Sequence, residues 1–108
     1  MAIYDLYGSS SNELESARAS LESAFGINFS AHDSEYYGGD YFRWGKSSEE
    51  HLVLKRNIDP IDGDPAEQSF PDYRILLYVN ESPRWQFFRE RIIEKATCFV
   101  LLRHEDLE

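Results

Sequence analysis

A pair of adjacent glycines, Gly38 and Gly39, is the feature that most constrains how this chain can fold. Glycine adopts positive φ angles without the steric cost that other residues meet, and a Gly-Gly pair between extended segments is typical of a β-hairpin. Residues 27–32 alternate between apolar and polar side chains, as a half-buried strand does, and residues 40–44 have the composition of a returning strand. The sequence therefore predicts an antiparallel hairpin in the middle of the chain.

One amphipathic helix is predicted before this hairpin. Its apolar residues recur at helical spacing and end at Gly26, a typical C-terminal stop. Ser10 followed by Glu13 fits a capping box at the other end. The predicted buried face consists of Leu14, Ala17, Leu21, Ala24 and Phe25.

A second helix is predicted late in the chain. Ser82 is expected to cap it and Pro83 to occupy its first position. Trp85, Phe88 and Ile92 would form its apolar face.

Strand-like segments account for the rest of the predicted structure. Residues 3–7 and 51–58 have strand composition, and the nearly continuous apolar run at 74–79 suits a central strand covered on both faces. Residues 97–102 are expected to form a last buried strand, with Cys98 as an inert core thiol. The order β-α-β-β-β-β-α-β predicts a single α+β domain over residues 1–108, a mainly antiparallel sheet of about five to six strands with two helices on one face.

The charge balance restricts the possible partners. The chain has 20 acidic and 11 basic side chains, and its net charge of −9 repels phosphate backbones and anionic membranes. The sequence shows neither a bilayer-spanning apolar run nor a signal peptide, so a cytoplasmic location is expected. The same charge would steer the protein toward a basic protein partner, although acidic surfaces also serve solubility alone.

A long loop at residues 57–73 concentrates part of this charge. Prolines and glycine interrupt any strand there, and the pattern lacks the ligand spacing of an EF-hand calcium site. The loop is interpreted either as merely solvated or as presented to a cationic cleft. Its candidate partner-binding residues are Asp59, Asp62, Asp64 and Glu67.

The hairpin carries the densest group of possible metal ligands or acid–base residues. These are His32, Asp33, Glu35 and Asp40. No helical His-Glu-x-x-His or paired Cys-x-x-Cys spacing is present, so no cofactor, metal site or catalytic residue is predicted. A small metal-binding or hydrolytic enzyme centred on this hairpin is the alternative.

Aromatic residues surround the predicted turn. If Phe42 and Trp44 face the core, strand alternation leaves Tyr36, Tyr37 and Tyr41 near the surface, beside acidic residues. Tyrosine combines a large contact area with few rotatable bonds and a polar end, which suits a binding surface. A structural aromatic ladder and a self-associating subunit are the alternatives.

Two phrases resemble a known group of proteins. One phrase is the opening at residues 3–8, Ile-Tyr-Asp-Leu-Tyr-Gly, and the other is the hairpin phrase at residues 32–42. With these phrases, the short acidic chain resembles small bacterial immunity proteins that are encoded beside polymorphic toxins, including those of contact-dependent growth inhibition. The resemblance implies a cytoplasmic, non-enzymatic antitoxin that binds a toxin domain tightly, often over a nuclease active site.

The leading hypothesis is therefore an inhibitor that occupies the cationic groove of a cognate toxin, with a nuclease favoured. The candidate contacts are Asp33, Glu35, Tyr36, Tyr37, Asp40 and Tyr41 on the hairpin and Asp59, Asp62, Asp64 and Glu67 on the loop. Carboxylates would speed encounter with a basic partner, while tyrosines would slow its release.

Overall fold

The computed structural model of the protein describes residues 2–34, 39–46, 48–59 and 63–107. It contains one six-stranded antiparallel sheet and two helices, in the predicted order. The elements are β1 (Ala2–Ser9), α1 (Leu14–Phe25), β2 (Ser30–Ser34), β3 (Gly39–Gly45), β4 (His51–Arg56), β5 (Ile75–Asn80), α2 (Trp85–Lys95) and β6 (Val100–Leu107).

The strands lie in the order β2-β3-β4-β5-β1-β6. β5 occupies an interior position, and four of its six side chains are fully buried, as its nearly continuous apolar sequence predicts. The predicted hairpin is confirmed, because β2 pairs with β3 from Ser30 opposite Arg43 to Ser34 opposite Gly39. Gly38 lies outside the described residues, and Gly39 has a φ of 109° at the start of β3.

Both helices cover one face of the sheet. The predicted apolar face of α1 is confirmed as buried, and the rings of Phe25 and Phe88 meet edge to face at 4.8 Å between the two helices. On the sheet, Phe42 and the alternate residues of the neighbouring strands contribute to the same core, with Trp44 packed against it. Phe42 and Trp44, whose orientation the sequence left open, therefore both face the core.

The helix ends differ from the expectation at their N-termini. α1 begins after Glu13, and no side chain caps it. Glu13 itself stands at the N-cap and its amide donates to Ser11 Oγ, so the predicted capping box of Ser10 and Glu13 is wrong. At the other end Gly26 adopts the left-handed conformation, with φ of 70°, and confirms the predicted stop. α2 begins at Trp85, two residues after Pro83.

The described residues of the loop between β4 and β5 lie on part of the sheet face that the helices leave open. Asn57 anchors it, donating to the carbonyls of Phe70 and Tyr73 and accepting from the Glu67 amide. Tyr73 lies so close to Gly8 that a Cβ there would stand 2.9 Å from the tyrosine Cγ. Lys55, on this face of β4, is consequently buried, and its burial lowers its pKa although Glu67 and Asp59 oppose the shift.

The last strand corrects two expectations. Residues 97–102 were expected to form a buried strand, but β6 begins at Val100, pairs only with β1 and lies at the edge of the sheet with most of its side chains exposed. Cys98 precedes it and is exposed, so the prediction of a core thiol is wrong. An apolar run is ambiguous here, because composition does not reveal whether a strand has one neighbour or two.

Candidate functional site

Two carboxylates face each other across the β2–β3 hairpin. The register places Asp33 directly opposite Asp40, and both side chains are exposed. Among the described residues, neither carboxylate has a basic side chain within ion-pair distance. Like charges at directly opposed positions of an antiparallel pair destabilise it, so this arrangement costs the free protein stability.

A groove of about 250 Å³ extends from this pair toward the first helix. Asp40 lines it from the hairpin and Glu15 from the first turn of α1. Leu14 and Phe42 contribute apolar surface, and Arg56 closes the side next to β4. Asp40 thus lines, and Asp33 opposite it stands next to, a concave surface that has apolar, acidic and basic residues in its walls.

Tyr41 also lines this groove but is not an exposed residue. Its side chain is only 9% exposed, and its ring stacks on that of His32 with 5.3 Å between centroids. The expectation that Tyr41 is left near the surface is therefore wrong, because little of the residue is exposed and its ring packs against that of His32. Glu35, Tyr36 and Tyr37 lie outside the described residues, and their part in binding stays a prediction.

The metal-binding alternative gains no support from the hairpin geometry. Because side chains alternate along a strand, His32 lies on the face opposite to Asp33, and its cross-strand neighbour is Tyr41 rather than Asp40. Among the described residues, no group of three or more histidine, cysteine or acidic side chains has the placement to hold a metal ion.

The acidic loop divides into two parts. Asp59 and Asp64 lie at a tight turn, where the Asp59 amide donates to the Asp64 carbonyl at 2.6 Å and the Gly63 amide to the Asp59 carbonyl at 2.9 Å. Glu67 instead contacts the sheet, accepting from the Tyr78 hydroxyl at 2.7 Å and from Arg103 at 3.2 Å. Asp62 lies outside the described residues.

Glu67 therefore has an internal role that corrects its assignment to the loop surface. Its carboxylate neutralises Arg103, approaches buried Lys55 and is itself half-buried. A partner could not use this group without displacing contacts that hold the loop on the sheet.

A buried polar cluster was missed by sequence reasoning. Asp5 is fully buried, accepts a hydrogen bond from His104 Nδ1 and has its second oxygen 3.6 Å from the Arg89 guanidinium. His104 lies on the edge strand β6, and about one-third of its side chain is exposed. The available signal was an aspartate inside the apolar strand of residues 3–7, since an acidic residue is rarely fully buried unless it is paired.

Neither a protein-family model nor a curated protein sequence matches the chain. Within the described residues, neither helix has the length and apolar character that crossing a bilayer requires.

Proposed function

We propose that the protein is a non-enzymatic inhibitor that binds and neutralises a cognate toxin domain in the cytoplasm, with a nuclease as the favoured class of toxin. The observation that carries the proposal is the direct opposition of Asp33 and Asp40 on the exposed hairpin. A cationic surface docked on this pair would relieve the repulsion between the two carboxylates. The stability lost in the free protein would then be recovered in the complex.

The surroundings of the pair support protein recognition. Glu15, which is paired with Arg18 at 2.8 Å, adds a carboxylate to the adjacent groove, and Leu14 and Phe42 provide apolar surface in its walls. Interfaces combine an apolar centre with a polar rim, and complementary charge mainly accelerates encounter. The net charge of −9 adds long-range attraction for a basic protein.

The exposed carboxylate of Asp64 forms a second part of the proposed surface, with Asp59 beside it at the loop turn. Tyr41 and Glu67 are left out, because one is buried and the other is bonded to Tyr78 and Arg103. Hairpin tyrosines Tyr36 and Tyr37 would supply the contact area that slows release.

The test uses the C-terminal domain encoded by the reading frame next to this gene as the toxin. We expect co-expression to restore growth of cells that make this domain. In stopped-flow measurements, the double variant Asp33→Asn, Asp40→Asn should associate about tenfold more slowly at low salt, with a weaker dependence on salt. Glu94→Gln, an exposed acid on α2, is the matched control and should keep the wild-type rate.

The same double variant should unfold at a higher temperature than the wild type, because the cross-strand repulsion is gone. The expected gain is about 0.2–1 kcal/mol. Slower association together with higher stability would identify the pair as functional. An unchanged association rate would remove the hairpin carboxylates from the mechanism, and Asp64→Lys would then test whether the loop carries the interaction instead.

A further inference from the structure

A second concave surface lies at the end of the sheet where β4 ends and β5 begins. This cleft has a volume of about 390 Å³, larger than the groove beside the hairpin. We call it the arginine cleft. Its walls include Asn12, Arg56, Ile58, Pro71, Tyr73 and Arg74.

Arg56 and Arg74 bring two positive charges to this one cleft. Neither has a carboxylate within ion-pair distance among the described residues, although the chain has 20 acidic side chains for 11 basic ones. Four other arginines lie within 3.6 Å of a carboxylate, namely Arg18, Arg84, Arg89 and Arg103. Arg43 and Arg91 also have no carboxylate within that distance among the described residues, so what distinguishes Arg56 and Arg74 is that both line one cavity.

The walls of the cleft are held in place before any ligand arrives. The Arg74 amide donates to the Ser9 carbonyl at 2.9 Å, and the Asn57 amide donates to the Arg74 carbonyl at 2.8 Å. Asn57 also fixes Tyr73 through its carbonyl, and Gly8 leaves the space that the tyrosine ring occupies. Such preorganisation reduces the conformational entropy that binding would otherwise cost.

The chemistry of the walls defines a class of ligand. A guanidinium group donates two parallel hydrogen bonds to phosphate oxygens, and two guanidinium groups match the double charge of a phosphate monoester. The cleft is also within the usual range of pockets for small organic molecules, about 300–1,000 Å³, and so exceeds the needs of an inorganic anion. Ile58, Pro71 and Tyr73 offer an apolar and aromatic wall for an organic group.

We propose that the arginine cleft binds a small phosphate monoester, with the phosphate held by Arg56 and Arg74 and the organic group against Tyr73. Asn12 supplies a neutral amide at the same cleft. Arg56 also lines the groove beside the hairpin, but the test of the arginine cleft uses the protein alone and needs no toxin.

The experiment is a titration of the protein with phenyl phosphate, followed by NMR and by calorimetry. We expect saturable binding with shifts of the Arg56, Arg74 and Tyr73 signals, weaker binding of inorganic phosphate and none of phenol. Arg56→Gln and Arg74→Gln should each weaken binding at least about tenfold, because each removes charged hydrogen bonds. Arg74→Lys keeps the charge but loses the two parallel hydrogen bonds of the guanidinium. It should bind phenyl phosphate more weakly than the wild type and more tightly than Arg74→Gln.

Arg91→Gln, on α2 and outside the cleft, is the matched control and should bind phenyl phosphate as the wild type does. Amide spectra of each variant establish that it is folded. Absence of saturable binding to the wild type would overturn the proposal. So would equal weakening by Arg91→Gln, which would show a nonspecific charge effect, or shifts confined to residues outside the cleft.

Discussion

The Asp5 carboxylate on β1 accepts a hydrogen bond from the imidazole Nδ1 of His104 on β6, and it does so from a fully buried position. Arg89 approaches the same carboxylate from α2, with 3.6 Å between its guanidinium nitrogen and the second oxygen. Trp85, one turn earlier on α2, places its ring 4.8 Å from that of His104. A single carboxylate thus connects the second helix and the edge strand to β1.

Replacing this carboxylate should destabilise the protein more than a surface change does. Asp5→Ala would leave Arg89 and His104 without their common partner, which costs about 3–5 kcal/mol when the remaining charge stays fully buried. Both partners are about one-third exposed and can regain water, so we expect a loss of about 2–3 kcal/mol in urea unfolding. Amide exchange in β6 should also become faster.

Asp106→Asn provides the control for this experiment, since it changes an exposed acid on β6. It should alter the free energy of unfolding by less than about 0.5 kcal/mol. A similarly small effect of Asp5→Ala would show that the cluster does not hold α2 and β6 to the sheet.

A second polar contact joins the β3–β4 connection to the start of α2 and should give a pH-dependent stability. Burial alone would raise the pKa of Glu50, but hydrogen bonds from Arg84 and Ser82, together with the charge of Arg84, lower it below the ordinary value of 4.5. A carboxyl group with a depressed pKa stabilises the fold above its unfolded pKa. This stabilisation is lost as the pH falls through the folded pKa.

Glu50→Gln should therefore be less stable than the wild type at neutral pH. We expect a difference of about 1 kcal/mol, because Arg84 is half exposed and solvent screens the pair. The difference should shrink as the pH falls below 4.5, and urea unfolding across that range measures it. Glu49→Gln, whose side chain is exposed, is the neighbouring control. A difference that grows on acidification would have the wrong sign for this contact.

The fold was largely predictable because its elements have strong internal periodicity. The apolar face of α1 recurs at helical spacing up to Gly26, and the apolar run of β5 needs cover on both sides. Both patterns lie within a single helix or strand, so they can be recognised without knowing which elements pack beside it. The N-termini of the helices were less predictable, because Ser11 and Ser82 satisfy amides just before each helix instead of capping its first turn.

Features that depend on tertiary neighbours could not be read from the sequence. Tyr41 and Glu67 belong to segments that are polar and rich in acid, yet the sheet and loop bury or pair them. The Asp5 contact with His104 spans almost the whole chain, and no local pattern relates the two positions. The opposition of Asp33 and Asp40 could not be read from the Gly38-Gly39 signal either, because a two-residue turn there would place Tyr37 opposite Asp40, whereas Gly39 is already paired with Ser34 in β3.

The exposed position of Cys98 should make its thiol reactive in the folded protein. We expect an aromatic disulfide reagent to label it at nearly the same rate in native buffer as in urea, since labelling needs no unfolding. Cys98→Ser should abolish the signal and change stability little, because the exposed side chain contributes little packing. Labelling that is strongly suppressed in native buffer would restore the interpretation of a buried thiol.

Tyr7 should govern part of the alkaline stability of the protein. Its hydroxyl is buried without a hydrogen-bond partner among the described residues. Burial raises the pKa of Tyr7 from 10.0 to about 12, although the neighbouring Arg89 guanidinium lowers it in part. The unfolded chain loses this proton above about pH 10 while the folded protein keeps it, so stability falls as the pH rises through that interval. Tyr7→Phe has no proton to lose and should be within about 1 kcal/mol of the wild type at neutral pH, then become relatively more stable near pH 11. Urea unfolding at both pH values measures this crossover. Tyr4→Phe, on the opposite face of β1, is the control. An equal loss of stability at alkaline pH in Tyr7→Phe and in the wild type would contradict the prediction.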